Sequence, residues 1–292
     1  MNKPSKPAKA AMAARMALLM EAAAEKPGNV TPTRGFEEMD FTSFIISSQV
    51  VGDLLARAAN KSVGWIILNA VTDAMKATGA NTHLGAILLL APLAHAFLKS
   101  GTLSARSTGA TLAGLTTKDA VMAYKAIRLA SPGGLGRAPQ QDTRRPPTVT
   151  LLEAMKLAAE RDLIAREYST GFSITFGLGA PEMEANIGAG LAPLEAVTQT
   201  FLTIMSRHPD TLISRKNEPE MANKASEEAA RILSLGGMHS ARGRRAVYEF
   251  DQALRIESNL LNPGATADLT AAALFVYFIR HGYGSLNRGG KK

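Results

Sequence analysis

The sequence predicts an all-α protein, a single-domain multi-helix bundle of about ten helices around two buried central ones. Three observations carry that reading. Alanine and leucine dominate, while aromatic residues make up 5% of the 292, a balance that favours helices over strands. Apolar residues recur at helical spacing, as at Phe41, Phe44, Ile45, Val51 and Leu54, and no segment alternates with period two between hairpin turns. The runs 86–98 and 269–280 are apolar all round, the mark of helices that lie in an interior.

Taken in order, residues 1–9 read as a disordered basic tail, 10–282 as the helical domain and 283–292 as a flexible basic tail. A helix spans Ala10 to Ala24, and Lys26-Pro27-Gly28-Asn29-Val30 breaks it. The next helix runs to about Ala59 and opens with Glu37, Glu38 and Asp40, acids that suit the positive end of a helix dipole. Asn60 and Ser62 can cap a helix over Val63–Ala77. Gly79 to Gly85 is a polar turn that leads into the apolar run at 86–98, where Asn81 or Thr82 can act as the cap. A Ser/Thr/Gly-rich connection covers 101–116, and Thr117 caps a helix to Leu129.

Residues 131–147 form a glycine-rich, polar loop, and Thr150 caps one long helix over 151–168. Within that helix Asp162 and Arg166 read as a surface i,i+4 pair. Residues 171–179 are irregular and 194–206 helical; 208–216 is a short basic turn carrying Arg215 and Lys216. A charged helix follows over 219–235, then a mobile basic loop to 245 and a helix over 246–257. Asn262 to Asp268 start the last helix, 269–280.

Composition excludes several chemistries. With no cysteine, disulfides, thiolate metal sites and thiol catalysis are absent. No apolar run reaches the length of a membrane span and no signal peptide is evident, so a cytoplasmic protein without a membrane partner is expected. The formal net charge of +8 fits an anionic ligand, or solubility with basic tails. Nucleic acid is disfavoured, because no recognition module or set of aromatics accompanies the charge, and small phosphorylated ligands are the better match. Assembly as a homodimer is left open.

Four polar, glycine-bearing segments precede buried helices: 26–40, 79–85, 132–142 and 262–268. Each carries an acid or an amide, namely Glu38 and Asp40, Asn81, Asp142, and Asn262 with Asp268. A helix N-terminus offers unpaired N–H groups and positive potential to a phosphate. Glycines let backbone approach a ligand, and carboxylates can hold Mg²⁺ against substrate phosphates. The segments are therefore expected to meet in one nucleotide cleft at the helix N-termini. The loop at Gly133-Gly134 lacks the Walker lysine spacing and follows no strand, so it is neither a P-loop nor a Rossmann turn.

At this point the residues resemble the triphosphoribosyl-dephospho-CoA synthase family. Lys26-Pro27-Gly28-Asn29-Val30, Glu38-Met39-Asp40-Phe41, Asn81-Thr82-His83 with Gly85, Pro132 to Gly136, Arg161-Asp162, Asp210 through Arg215-Lys216, and Asn262-Pro263-Gly264 with Thr266, Ala267 and Asp268 carry the likeness. The resemblance implies an all-helical transferase in which a ribose hydroxyl of dephospho-CoA attacks the anomeric carbon of ATP and adenine leaves with the triphosphate retained. It implies Glu38, Asp40 and His83 as catalytic groups and Glu38, Asp40 and Asp268 as Mg²⁺ ligands, with Asp142 in reserve. Lys26, Gly28, Asn29, Asn81, Thr82, Gly133, Gly134, Arg215, Lys216, Asn262, Gly264 and Thr266 would bind the nucleotide.

The family pattern has Asp-Met-Asp where this chain has Glu38-Met39-Asp40, and a basic residue where it has Leu84. Residues 81–94 resemble a branch found in archaea and in bacteria with methanopterin-type one-carbon chemistry. Two other readings follow: an ATP-using enzyme of one-carbon coenzyme biosynthesis with a different acceptor, and a non-enzymatic basic helical protein that binds RNA or a partner.

Overall fold

The computed structural model describes residues 4–36, 39–256 and 259–290, without the side chains of the last four. Glu38 lies outside the described residues, as do Lys3, Lys291 and Lys292.

Alanine shapes the first contact of the fold. In α1 (Lys6–Ala23) the small side chains of Ala10, Ala13, Ala14 and Ala17 are buried and let the helix pack against α2 (Phe41–Ala56). Between the two, bridges at Thr31–Arg34 and Phe36–Met39 shape the loop; among the described residues there is no named strand. α3 (Val63–Thr78) then leads to α4 (Leu84–Ser100), which is buried along nearly its whole length. α5 (Ala105–Ala113) and α6 (Thr117–Ala130) follow, each opened by a capping box, Ser104 with Ser107 and Thr116 with Asp119.

The second half continues with α7 (Leu151–Ala158), α8 (Leu163–Thr170), a π-turn at Thr175–Gly179, α9 (Ala180–Gly188) and α10 (Pro193–Arg207). The short α11 (Thr211–Lys216), then α12 (Pro219–Ser234) and α13 (Ala241–Leu254), precede α14 (Gly264–His281). α14 packs on α1, α4 and α10 and is buried from Leu269 to Ile279. The helices 86–98 and 269–280 of the sequence reading are thus the cores of α4 and α14, and they touch.

Local departures from the sequence reading have identifiable causes. α1 begins at Lys6, inside the expected tail, because Ser5 caps it and Pro7 occupies its first turn. The connection at 101–116 contains α5, whose poor helix formers are offset by its capping box. The single helix expected over 151–168 is two, because Asp162 accepts from the N–H groups of Ile164 and Ala165 and starts a new one. The basic turn at 208–216 holds α11, and the loop expected to be mobile at 236–245 holds a 3₁₀ turn and the start of α13. Among the described residues no single helix is long and apolar enough to cross a membrane; α4 and α5 approach that length only together, across a 103° bend.

Pro92 interrupts α4. Having no N–H, it leaves the carbonyl of Leu88 without its helical donor. The buried hydroxyl of Tyr168 donates to that carbonyl at 2.5 Å. Tyr168→Phe should therefore lower the unfolding free energy by about 1–3 kcal/mol, the cost of an orphaned buried carbonyl. In a Tyr168→Phe background, Pro92→Ala should recover part of the loss by supplying a backbone donor. Urea denaturation of the single and double variants measures both effects.

Candidate functional site

The two central helices do not cap themselves. His83 occupies the N-cap of α4 and Pro263 that of α14, and neither makes a side-chain capping bond. An aspartate from elsewhere serves each. Asp210 uses one oxygen for the N–H groups of Leu212 (2.8 Å) and Ile213 (3.0 Å), at the start of α11. Its other oxygen accepts from the N–H and hydroxyl of Thr266 in α14, at 2.7 and 2.8 Å. Asp268 in turn accepts from the N–H of Ala86 in α4. Its carboxylate lies so close to Gly85 that a Cβ there would fall 1.9 Å from Oδ2.

These helix starts surround a cavity of about 910 Å³. All four segments singled out in the sequence reach it: Asn29 and Met39; Gly79 through Gly85; Pro132 through Ala138 with Gln140 to Asp142; and Asn262, Gly264, Ala265, Ala267 and Asp268. Arg161, Asp162, Leu212, Arg215 and Lys216 add a further wall, with Phe44, Met75, Leu84, Leu88, Tyr124 and Ile127 among its apolar members. Gly134, at φ +69°, lies against the backbone of Arg215; a side chain there would be 3.0 Å from the Arg215 carbonyl.

Among the described residues, six buried side-chain polar atoms have no hydrogen-bond partner, and five of them belong to residues lining this cavity. They are Glu21 Oε1, Thr82 Oγ1, His83 Nε2, Arg215 Nε and Asn262 Oδ1. Native folds rarely leave buried polar atoms unpaired, and a concentration of them marks a place where a ligand supplies the missing bonds.

Other residues marked in the sequence have different placements. Asp40 is an exposed N-cap of α2, held by the N–H and hydroxyl of Ser43 at 2.8 and 2.7 Å, and it does not line the cavity. Those same bonds hold its carboxyl below the usual range. Lys26 is sealed under the cavity, fully buried, with its ammonium bonded to the carbonyls of Glu21, Ala24 and Val30. Gly28 donates its N–H to Asp251 at 2.9 Å and packs on Leu254 and Pro263. Thr266 is spent on Asp210. Asp142 lines the cavity, but the side chain and N–H of Arg144 and the N–H of Ala138 hold it, and they push its carboxyl far down. The first turn of α4, expected to be open for phosphate, already faces the Asp268 carboxylate.

The Mg²⁺ ligand set expected from the sequence does not assemble among the described residues. Asp40 and Asp268 are not brought together, and no group of three His, Cys, Asp or Glu side chains is arranged for a metal. Glu21, not marked in the sequence, also lines the cavity. The sequence reading makes Asp162 a surface group, whereas Asp162 caps α8 and pairs with Arg215 on the cavity wall. The available signal for Glu21 was an acid inside an alanine-rich stripe, five residues before Lys26.

His83 is buried; its Nδ1 lies 2.8 Å from the Ser47 hydroxyl, and the Phe44 ring meets it edge-on at 4.7 Å. Burial, reinforced by the charge of Lys26, pushes its pKa down to about 3. The ring is therefore neutral at neutral pH, and the role of imidazolium acid does not fit it. Asp268 is pushed the other way: burial, then repulsion from Glu21 and more weakly from Asp210 and Asp162, raise its carboxyl well above the usual range against the Ala86 hydrogen bond. Burial also raises Glu21, against the attraction of Lys26.

The chain matches the sequence model of the ATP:dephospho-CoA triphosphoribosyl transferase family over residues 7–286. A Pseudomonas fluorescens Pf-5 protein described as a probable 2-(5''-triphosphoribosyl)-3'-dephosphocoenzyme-A synthase is 32% identical over 226 residues, covering 74% of this chain and 67% of that protein. A Pectobacterium atrosepticum protein described as a 2-(5''-triphosphoribosyl)-3'-dephosphocoenzyme-A synthase is 27% identical over 217 residues, 74% of this chain and 64% of its own length. A crystal structure assigned to a triphosphoribosyl-dephospho-CoA synthase of Archaeoglobus fulgidus superposes with a TM-score of 0.64 at 26% identity, covering 83% of this chain and 99% of that one.

Fold, cavity and relatives together define an all-helical transferase. The chain belongs to the ATP:dephospho-CoA triphosphoribosyl transferase family. The family's activity is the one these likenesses indicate, and they favour neither a one-carbon coenzyme enzyme nor an RNA-binding protein.

Gly85→Ala should force the Asp268 carboxylate off the Ala86 N–H and cost about 1–3 kcal/mol of stability. In an Asp268→Ala background the same change should cost much less, and a double-mutant cycle in urea measures the coupling. His83 makes a second prediction. Between pH 6.5 and about 3 the unfolded chain binds a proton that the folded chain refuses, so stability falls as pH is lowered through that window. The slope attributable to His83 approaches about 1.4 kcal/mol per pH unit. His83→Asn should remove that share, as read from urea midpoints across the acid range.

Proposed function

We propose that the cavity transfers the triphosphoribosyl group of ATP to a ribose hydroxyl of dephospho-CoA, or of a related acceptor, with release of adenine. The observation that carries this reading is the gathering of unpaired buried polar atoms around one cavity edged by Arg215 and Lys216. Glu21 Oε1 has the Lys26 ammonium at 3.1 Å; the atoms of Thr82, His83, Arg215 and Asn262 each cost about 1–3 kcal/mol while unmatched, and a nucleotide carries both donors and acceptors.

The triphosphate lies towards Arg215, Lys216 and the backbone of Gly133 and Gly134, where cations and close-packed glycines suit a polyanion. The ribosyl group lies towards Asn81, Thr82 and Asn262, with Asn29 and Gly264 in the wall. Displacement at an anomeric carbon passes through an oxocarbenium-like state, which a nearby carboxylate stabilises. Asp268, on the cavity floor, is the carboxylate placed for that task. The neutral His83 serves as a hydrogen-bonding group that orients substrate. Mg²⁺ would be held by the ATP phosphates. A cytoplasmic setting suits these substrates.

Incubation with Mg²⁺, ATP and dephospho-CoA should release free adenine in step with loss of the acceptor, as followed by chromatography. Release of ADP or diphosphate in place of adenine would overturn the reading. Arg215→Ala should raise KM for ATP by about tenfold to a hundredfold, the equivalent of one lost charge-assisted hydrogen bond. Steady-state kinetics with ATP as the varied substrate checks this.

A further inference from the structure

His83 and Ser47 meet where the start of α4 touches α2. His83 lines the cavity and is 3% exposed, and Ser47 is fully buried. His83 Nδ1 lies 2.8 Å from the Ser47 hydroxyl. The other ring nitrogen, Nε2, is buried and has no partner. Which nitrogen carries the proton decides whether the ring offers the cavity a donor or an acceptor.

The hydroxyl of Ser47 makes that choice. A serine inside a helix commonly donates to a carbonyl three or four residues back. Ser48, its neighbour, does so, giving its proton to the Ile45 carbonyl at 2.7 Å. Ser47 does not: among the described residues its hydroxyl has one partner, His83 Nδ1. If Nδ1 carried the ring proton, the hydroxyl hydrogen would be buried without an acceptor, at a cost in free energy. If Nδ1 is bare, the hydroxyl donates to it and the ring proton sits on Nε2. The Phe44 ring packs edge-on against the imidazole at 4.7 Å. Burial and the charge of Lys26 keep the ring neutral, which agrees with a single ring proton.

We infer that Ser47 is a positioning residue that fixes His83 as its Nε2–H tautomer, and that this N–H donates to a ring nitrogen of adenine during the transfer. The adenine contact rests on the transferase reading, whereas the tautomer does not. The phosphates of ATP are drawn to the cations Arg215 and Lys216. The ribose ring oxygen turns positive in the oxocarbenium-like state and is a poor acceptor there. Adenine gains electron density as its bond to the anomeric carbon breaks, so a donor aimed at it counts most in the transition state. Phe44 and Leu84, which line the cavity with His83, suit a flat apolar base. The breaking bond leaves its electron pair on adenine, and the acceptor oxygen bonds to the anomeric carbon. The proton released by the acceptor hydroxyl ends on adenine. The imidazole keeps its own, because a neutral ring N–H serves as a hydrogen-bond donor rather than as an acid.

The test uses the full chain with ¹⁵N-labelled histidine, observed by NMR at neutral pH. The signals of His83 are those absent from His83→Asn. Without substrate they should show a protonated Nε2 and a bare Nδ1; a protonated Nδ1 would overturn the tautomer. Ser47→Ala should give a mixture of both tautomers, and an unchanged ring would remove Ser47 from its role. ATP should shift the Nε2–H signal, and one of 3-deaza-ATP and 7-deaza-ATP, each lacking a ring nitrogen, should fail to do so. If both analogues act as ATP does, the contact with adenine is ruled out. In turnover, Ser47→Ala should lower kcat by about threefold to tenfold, as part of the population holds the wrong tautomer, with KM for ATP little changed. An unchanged kcat would end the part played in catalysis. A fixed Nε2–H tautomer in a protein that releases no adenine would retain the Ser47 lock and sink the transferase reading instead.

Discussion

The aspartate laid over the start of another helix fixes the geometry of this protein. Asp268 leaves α14 to meet the first turn of α4, and Asp210 does the same for α14 from the start of α11. A buried helix N-terminus presents N–H groups that cost free energy unless something accepts from them. In most helices the preceding residue does so. Here both central helices take the acceptor from a distant part of the chain, so neither start is satisfied until the other elements have docked. The first turn of α4, the last helix and the α11 segment are thereby locked into one register. Gly85 is the condition for it, since any side chain there would occupy the space of the carboxylate.

This arrangement leaves the interior with a polarity unusual for a helical bundle. Acids gather on the floor of the cavity, Arg215 and Lys216 stand on its wall, and apolar residues such as Leu88 and Ile127 close the rest. The fold tolerates unpaired atoms at Thr82, His83 and Asn262 because the surrounding core is extensive and continuous. Unmatched buried atoms of this kind cost free energy that a polar ligand would recover. Leu84 lies on the same wall, so this chain presents an apolar surface there to whatever approaches its first central helix.

Much of the scaffold was legible in the sequence because helices announce themselves locally. The spacing of apolar residues, the caps at Ser62 and Thr150, and the two runs that are apolar all round all act within a few residues of themselves; the cap of α6 is Thr116, one residue before the Thr117 expected. The same locality explains the errors. Residues 101–116 read as a linker because Ser, Thr and Gly are weak helix formers, yet a capping box at Ser104 suffices for α5. Residues 151–168 read as one helix because Asp162 is compatible with either a helix interior or a cap, and only its bonds to Ile164 and Ala165 decide the matter.

The candidate site divides in the same way. The sequence by itself determined that the protein is helical, which two helices are central, and which polar, glycine-bearing segments stand at the mouths of buried helices; composition, periodicity and turn residues are properties of short stretches. Only the tertiary structure decided which groups within those segments face the cavity. It turned Asp40 outward as a cap, sealed Lys26 beneath the floor, spent Thr266 on Asp210 and brought Glu21 of the first helix into the same cavity as Asp268 of the last. Thr266 finds its partner 56 residues away, and Glu21 and Asp268 reach one cavity from the first and last helices; a linear pattern carries no record of distances between such segments.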